Sequence, residues 1–514
     1  MSDPSRDVPT PEVSDAASAV SIEYFDRRFF GHPRGLATLF LTEMWERFSY
    51  YGMRALLILF MTASPAIGGL GFDVPKAAAI YGLYTASVYL SGLPGGWVAD
   101  QLLGLRNAVL VGGVLIAFGH YFLIFHHLSF FYLGLVLIVL GTGLLKTNIS
   151  AIVGQLYAPG DVRRDAGFSI FYMGINLGGF LAPLACGYLG QRVGWHWGFG
   201  LAALGMTVAV VQFALGRKHL GLAAVSRIPS EAKRRATLHF LSGVLLCSVI
   251  GFSVLGISKW IDRPITSQDL SASMGLFLVL LSLGIFGWLF SGAKWSRPER
   301  QRLVVILVLF LASALFWAIF EQAGSTLNLF AQRNTSCVLF GYHFPSSWFQ
   351  SLGSLFIVLL APFFAWFWVT LGKRDPSSPR KFTTGLVFAA LGFLVLILPL
   401  VTRAGRVSPW WLVLTYFLHT AGELCVSPVG LSAMTKLAPA RATGLIMGVW
   451  FLSTSAGNFF GSQFAGLYES LPLIHLFAWV ACTALAGAAM LVLFVKRIER
   501  LTLGAVPAAD VPSC

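Results

Sequence analysis

The sequence predicts an all-α polytopic membrane protein of fourteen transmembrane helices, read as two sets of six with an inserted pair between them. Three observations carry this reading. First, 56% of the 514 residues are hydrophobic and only 11% are charged, against about 25% charged in soluble domains; the mean hydropathy is +0.74. Second, fourteen apolar stretches approach the roughly 20 helical residues needed to cross about 30 Å of hydrocarbon. They lie at 36–62, 78–101, 106–126, 130–154, 167–192, 195–215, 237–258, 272–292, 302–331, 346–371, 382–402, 409–437, 441–468 and 473–497. Third, lysine and arginine crowd alternate loops. One side holds Arg27, Arg28, Arg34, Arg163, Arg164 and the runs Arg217 to Arg235, Lys294 to Arg302, Lys373 to Lys381 and Lys496 to Arg500. The other holds little beyond Lys76, Arg192, Lys259, Arg263, Arg333, Arg403 and Arg406. The positive-inside rule then predicts both termini in the cytoplasm. These loops account for the net charge of +14, so the expected partner is a lipid bilayer and not nucleic acid.

The first stretch justifies its own place inside a bundle. Glu46, Arg47, Tyr50 and Arg54 follow Glu43 at +3, +4, +7 and +11, which places them on one helical face. The charged stripe is about 16 Å long at roughly 1.5 Å rise per residue. Each such charge costs roughly 2.5–3.5 kcal/mol at a membrane centre, so the stripe is expected to face a bundle interior or a water-filled cavity. The second stretch ends in Gly96-Trp97-Val98-Ala99-Asp100, then Gly104 and Arg106. This resembles the cytoplasmic loop motif of the major facilitator superfamily, with Asp100 bracing a gate through helix dipoles and arginine pairing. In the fourth stretch Lys146 lies in mid-span, a cavity position. In the fifth, Asn176 sits among Gly174, Gly178 and Gly179, which permit close helix packing.

The seventh and eighth stretches carry almost no interior charge and lie between two basic segments. Setting them apart leaves six before and six after, the plan of the major facilitator superfamily, whose substrate site lies near the midplane between halves. The expected division is a cytoplasmic tail over 1–34, an N-terminal six-helix bundle over 35–216, a basic linker and inserted hairpin over 217–301, a C-terminal bundle over 302–498 and a cytoplasmic tail over 499–514. Residues 1–22 are polar and lack a cleavable signal pattern.

The C-terminal set holds two buried-looking carboxylates. Glu321 is followed by Ser325 and Asn328 at +4 and +7, a second polar stripe. A carboxylate there is a candidate proton carrier, with Arg54 as candidate partner. His419, Glu423 and Ser427 are four apart and share a face; His419 reads best as a packed, hydrogen-bonded residue. Tyr50, Tyr51, Tyr89, Trp317 and Trp450 are candidate pocket aromatics. Arg47, Arg54 and Lys146 suit a carboxylate, whereas Glu321 and Glu423 suit an ammonium group or a proton. Together they describe a receptor for a ligand charged at both ends, which would bridge the halves and favour closure. The six cysteines lack metal spacing and read as free thiols. There is no nucleophile–base set, metal cluster or phosphate loop, so an enzyme is not expected.

The chain resembles the proton-dependent oligopeptide transporters. Glu43 to Gly52 meets their E-x-x-E-R-F-x-Y-Y-G motif, Phe171 to Gly178 meets F-Y-x-x-I-N-x-G, and Glu423 to Ser432 meets E-x-x-x-S-P-x-G-L-S. The resemblance implies a symporter of di- and tripeptides in a bacterial-type inner membrane, with the proton as coupling ion and no cofactor or metal. It implies proton coupling through Glu43, Glu46, Arg47, Arg54 and Glu321. It also implies a peptide carboxylate on Arg47, Arg54 and Lys146, a peptide amine on Asn176 and Glu423, and Ser427 and the aromatics lining the site. One departure stands out: Phe349-Gln350-Ser351-Leu352-Gly353 carries glycine where the family often has an amine-contacting asparagine. That keeps open a related solute such as nitrate, an amino acid or a peptide-like drug. A peptide sensor that does not transport is the rival from another class.

Overall fold

The computed structural model describes residues 26–125, 127–158, 160–221, 230–291, 295–402 and 405–503. Most of both expected tails lies outside the described residues, as do Arg227, Lys294, Arg403 and Cys514. Helices stand at all fourteen predicted stretches. They are α1 (Arg34–Thr62), α2 (Val74–Leu90) with α3 (Gly92–Val98), α4 (Leu105–Phe122), α5 (Leu128–Gln155), α6 (Arg164–Tyr188), α7 (Trp195–Gly216), α8 (Ser230–Trp260), α9 (Ser267–Ser291), α10 (Arg297–Phe320) with α11 (Thr326–Arg333), α12 (Ser351–Leu371), α13 (Ser378–Thr402), α14 (Pro409–Leu437), α15 (Thr443–Gly466) and α16 (Leu473–Leu503). A short hairpin, β1 (Val338–Leu339) and β2 (Tyr342–His343), joins α11 to α12.

Local chemistry sets the helix starts. Asp73 caps α2 by accepting from the Lys76 backbone N–H at 2.7 Å. Ser296 and Glu299 form a capping box at α10, two orphan N–H groups satisfied reciprocally. Among the described residues, ten helical rods are long and apolar enough to cross a membrane by length and composition. The charges of α1 keep it outside that set, although most of its residues are buried.

In hydrocarbon, apolar helices associate through close packing, because lipid tails are as apolar as leucine. In the first half α1 packs along α6 and α7, and α4 along α5. A Cβ at Gly178 would lie 2.2 Å from the Met44 carbonyl oxygen, so the α1–α6 crossing requires glycine there. In the second half α10 packs along α15, and α13 along α14 and α16. The halves meet through α2 on α15 and α6 on α12, the second and fifth rods of each half exchanged. The inserted α9 lies on α2 and α15, while most of the described apolar side chains of α8, such as Leu245 and Leu246, are exposed.

Hydrogen bonds between the halves gather at the Thr62 end of α1. Ser347 Oγ donates to Gln191 Oε1 at 2.8 Å, and Gln191 Nε2 to Ser346 Oγ at 2.9 Å. Trp348 Nε1 donates to the Leu184 carbonyl at 3.0 Å, and Ser351 Oγ to the Phe180 carbonyl at 2.7 Å. Asn328 Nδ2 donates to the Ala55 carbonyl at 2.9 Å. These contacts form a roof over the space between the halves.

Candidate functional site

Beneath that roof lies a cavity of about 390 Å³, within the range of small-molecule sites. The first half supplies Glu43, Arg47, Tyr51 and Arg54 from α1, Tyr89 from α2, Lys146 from α5, and Tyr172 and Asn176 from α6. The second supplies Trp317, Glu321, Gln350, Gly353, Ser354, His419, Glu423, Ser427 and Trp450. Arg54 and Glu321 are buried at the roof, whereas Tyr172 and Leu431 in the wall towards the Arg34 end are 45% and 42% exposed. The cavity therefore opens at the Arg34 end and is closed at the Thr62 end.

Three charge groups occupy it. In the first, Arg47 Nε reaches Glu43 Oε1 at 2.9 Å and Glu46 Oε2 at 2.6 Å, all three side chains buried. Glu43 Oε2 and Arg47 Nη2 have no hydrogen-bond partner among the described residues. In the second, Arg54 Nη2 pairs with Glu321 Oε2, and Arg54 Nε donates to the Tyr81 hydroxyl at 2.8 Å. Glu321 sits in a tight turn, Glu321–Gly324, that interrupts the α10–α11 rod. A Cβ at Gly324 would fall 1.9 Å from the Tyr81 hydroxyl and 2.8 Å from Arg54 Nε; only glycine leaves room for the pair. The third group is two charges without ion pairs among the described residues. Lys146 Nζ rests 4.0 Å from the Tyr89 ring centre, a cation–π contact. Across the cavity Glu423, 9% exposed, keeps Oε2 without a hydrogen bond among the described residues.

The POT family profile matches residues 106–480. The chain belongs to the POT family. Its fold is that of the major facilitator superfamily, and the protein is a membrane transporter by family. It is 42% identical over 499 residues to a peptide transporter of Yersinia enterocolitica, covering 92% of this chain and 96% of that protein. It is 40% identical over 489 residues to a di-/tripeptide transporter of Lactococcus lactis subsp. cremoris, covering 93% and 98%. A crystal structure of a variant of a POT peptide transporter in complex with alafosfalin matches with a TM-score of 0.87 and 43% identity, covering 95% of this chain and 99% of that one.

In this POT member, most of the sequence-predicted residues converge on the cavity, and three expectations need correction. Tyr50 does not line it. At about 100° per residue, Glu43, Arg54, Arg47 and Tyr51 fall at roughly 0°, 20°, 40° and 80°, while Tyr50 and Glu46 fall at roughly −20° and −60°. The cavity takes the first sector. Tyr50 is buried behind it, its ring 5.2 Å from that of Tyr51, and Glu46 is fully buried, its contact to Arg47 made from behind the wall. The second correction concerns the Glu321–Ser325–Asn328 stripe. The turn at Glu321–Gly324 breaks its periodicity, and Asn328 instead ties α11 to α1. The third is Asp100, which is exposed after α3 and forms no ion pair among the described residues. Gln350, Ser354, Thr420 and Thr454 are wall residues outside the predicted set. Gln350 and Ser354 are four apart on one rod, a spacing legible in the sequence. Tyr172, four before Asn176, was legible in the same way, and its carbonyl accepts from Asn176 Nδ2 at 3.0 Å. His419 Nε2 meets the Ala389 carbonyl at 3.2 Å, in keeping with a packed histidine. Cys186, Cys337, Cys425 and Cys482 are free thiols.

Proposed function

We propose that this protein is a proton-coupled symporter importing di- and tripeptides by alternating access. The observation that carries the reading is the pair of unmatched charges facing each other across the halves, Lys146 and Glu423. A zwitterionic peptide supplies the complement of both, and its binding draws the halves together. Its carboxylate meets Lys146, with Arg47 and Arg54 beside it, and its amine meets Glu423 and Asn176. The peptide transporters of Yersinia enterocolitica and Lactococcus lactis support this substrate class. With the termini cytoplasmic and the protein in a bacterial-type inner membrane, the cavity opens to the cytoplasm. The Arg54–Glu321 pair closes the outer side. Protonation of Glu321 removes its charge, releases Arg54 and lets the roof part; Glu43 and Glu46 take part in passing the proton. The work is binding and conformational change, with no covalent chemistry and no cofactor besides the proton.

The decisive assay is uptake into proteoliposomes of purified protein. An inward proton gradient should concentrate a dipeptide, and Glu321→Gln should abolish concentrative uptake while preserving peptide exchange. Lack of gradient-driven uptake of any di- or tripeptide would overturn the reading. Gly353 favours a second reading at the amine end. A Cβ there would meet no atom within 4 Å, so the wall is open where a side chain would otherwise limit the ligand. A related solute with a bulkier amine-side group then fits; its preference over simple dipeptides in the same assay distinguishes the two.

A further inference from the structure

Away from the cavity, a groove of about 660 Å³ runs down the outer face of the first half between α1 and α7. Its wall includes Leu41, Val211 and Leu215, which are 36%, 51% and 70% exposed. It ends beneath three basic side chains, Arg34, Lys218 and His219. We infer that this groove is a binding site for an anionic phospholipid, its acyl chain along the apolar wall and its phosphate among the three basic groups.

The convergence of those groups is built into the chain. At Gly35 a Cβ would lie 2.9 Å from the His219 carbonyl oxygen, so glycine lets the Arg217–Leu220 turn press against the start of α1. Leu220, 1% exposed, pins the turn from below. Thr38 Oγ1 donates to the Gly216 carbonyl at 3.4 Å just beneath. The polar floor satisfies itself, since Gln212 accepts from Thr42 and donates to the Thr38 carbonyl. Arg34, Lys218 and His219 have no ion pair among the described residues. Asp26, the acid nearest Arg34 in the hydrogen-bond network, is engaged by Arg28 and by the Arg34 backbone N–H. Basic side chains without ion pairs among the described residues, above an exposed apolar channel, are the features that select acidic headgroups.

The second half repeats the arrangement. A groove of about 590 Å³ lies between α10 and α16 and has Arg497 in its lining. These are the first and last rods of their half, as α1 and α7 are of theirs. The same recess, with a cation at the same end, thus occurs twice.

The test is native mass spectrometry of the full-length transporter after incubation with phosphatidylglycerol or with phosphatidylcholine. Wild type should retain phosphatidylglycerol in preference. The triple variant Arg34→Gln/Lys218→Gln/His219→Gln should retain about tenfold less. Leu215→Trp, which fills the apolar wall and leaves the charges, should also lose it, and that variant alone decides the matter if the triple variant does not fold. Lys76→Gln/Lys259→Gln, at the opposite end, should bind as wild type. Equal retention of the two lipids, unchanged binding by both groove variants, or displacement of the lipid by inorganic phosphate would overturn the assignment.

Discussion

Single side chains divide the charge in the cavity into pairs that hold structure and charges left for a ligand. Arg47 with Glu43 and Glu46, and Arg54 with Glu321, form ion pairs within the protein. Lys146 and Glu423 do not. A charge-assisted hydrogen bond contributes about 1.5–3 kcal/mol, so Lys146→Gln should weaken peptide binding roughly 10- to 100-fold. Competition by unlabelled dipeptide in an exchange assay measures this; an unchanged half-inhibiting concentration would count against the carboxylate role. The identity of the charged residues was legible in the sequence because ionisable groups are so rare in the apolar stretches. Which of two adjacent tyrosines faces the ligand was not. Tyr50 and Tyr51 differ by about 100° on α1, and the packing of α6 and α7 decides which sector is open.

Elements carry the gating and the loops. The break at Glu321–Gly324 reads as an uninterrupted polar stripe in the sequence, because the groups it accommodates lie on two other rods: the Tyr81 hydroxyl on α2 and Arg54 on α1, which fill the space a side chain at Gly324 would need. Gly324→Ala should therefore dislodge Arg54 from Glu321, lower the thermal midpoint and abolish coupled uptake, whereas Gly353→Ala, where a Cβ meets nothing within 4 Å, should leave the midpoint unchanged. Scanning fluorimetry of the two variants makes the comparison. At the Arg34 end, His32 Nδ1 lies 2.9 Å from the Tyr157 hydroxyl. Burial holds its pKa below the ordinary 6.5, and Arg163 lowers it further. Below that value the unfolded chain binds a proton that folded His32 resists, so stability is intact above about pH 6.5 and falls as the pH drops. The thermal midpoint should decline more steeply from pH 7 to pH 5 in wild type than in His32→Gln; parallel declines would contradict this.

At the scale of the whole molecule, the fourteen apolar stretches and the charged loops made the helix plan legible, because bilayer thickness sets the length of a span and lysine and arginine collect in the loops of one side. The conformation was not legible, since one sequence must stabilise states open to either side and the balance rests on contacts between distant helices. Gln191 makes three hydrogen bonds to the α12 side, donating to Ser346 Oγ and accepting from the Ser347 hydroxyl and backbone N–H. At about 0.5–1.5 kcal/mol each, their loss in Gln191→Ala should shift the population away from the roofed state by roughly tenfold. Distance distributions between spin labels on the two halves at the Thr62 end should then gain a longer component; an unaltered distribution would show that the roof is held elsewhere.

The central claim is that one ligand's two charged ends are read by opposite halves. Gradient-driven uptake of a dipeptide, its N-acetylated analogue and its C-amidated analogue into proteoliposomes tests this most directly. Concentration of the free dipeptide with failure of both blocked analogues is the predicted result. Equal uptake of all three would contradict the account.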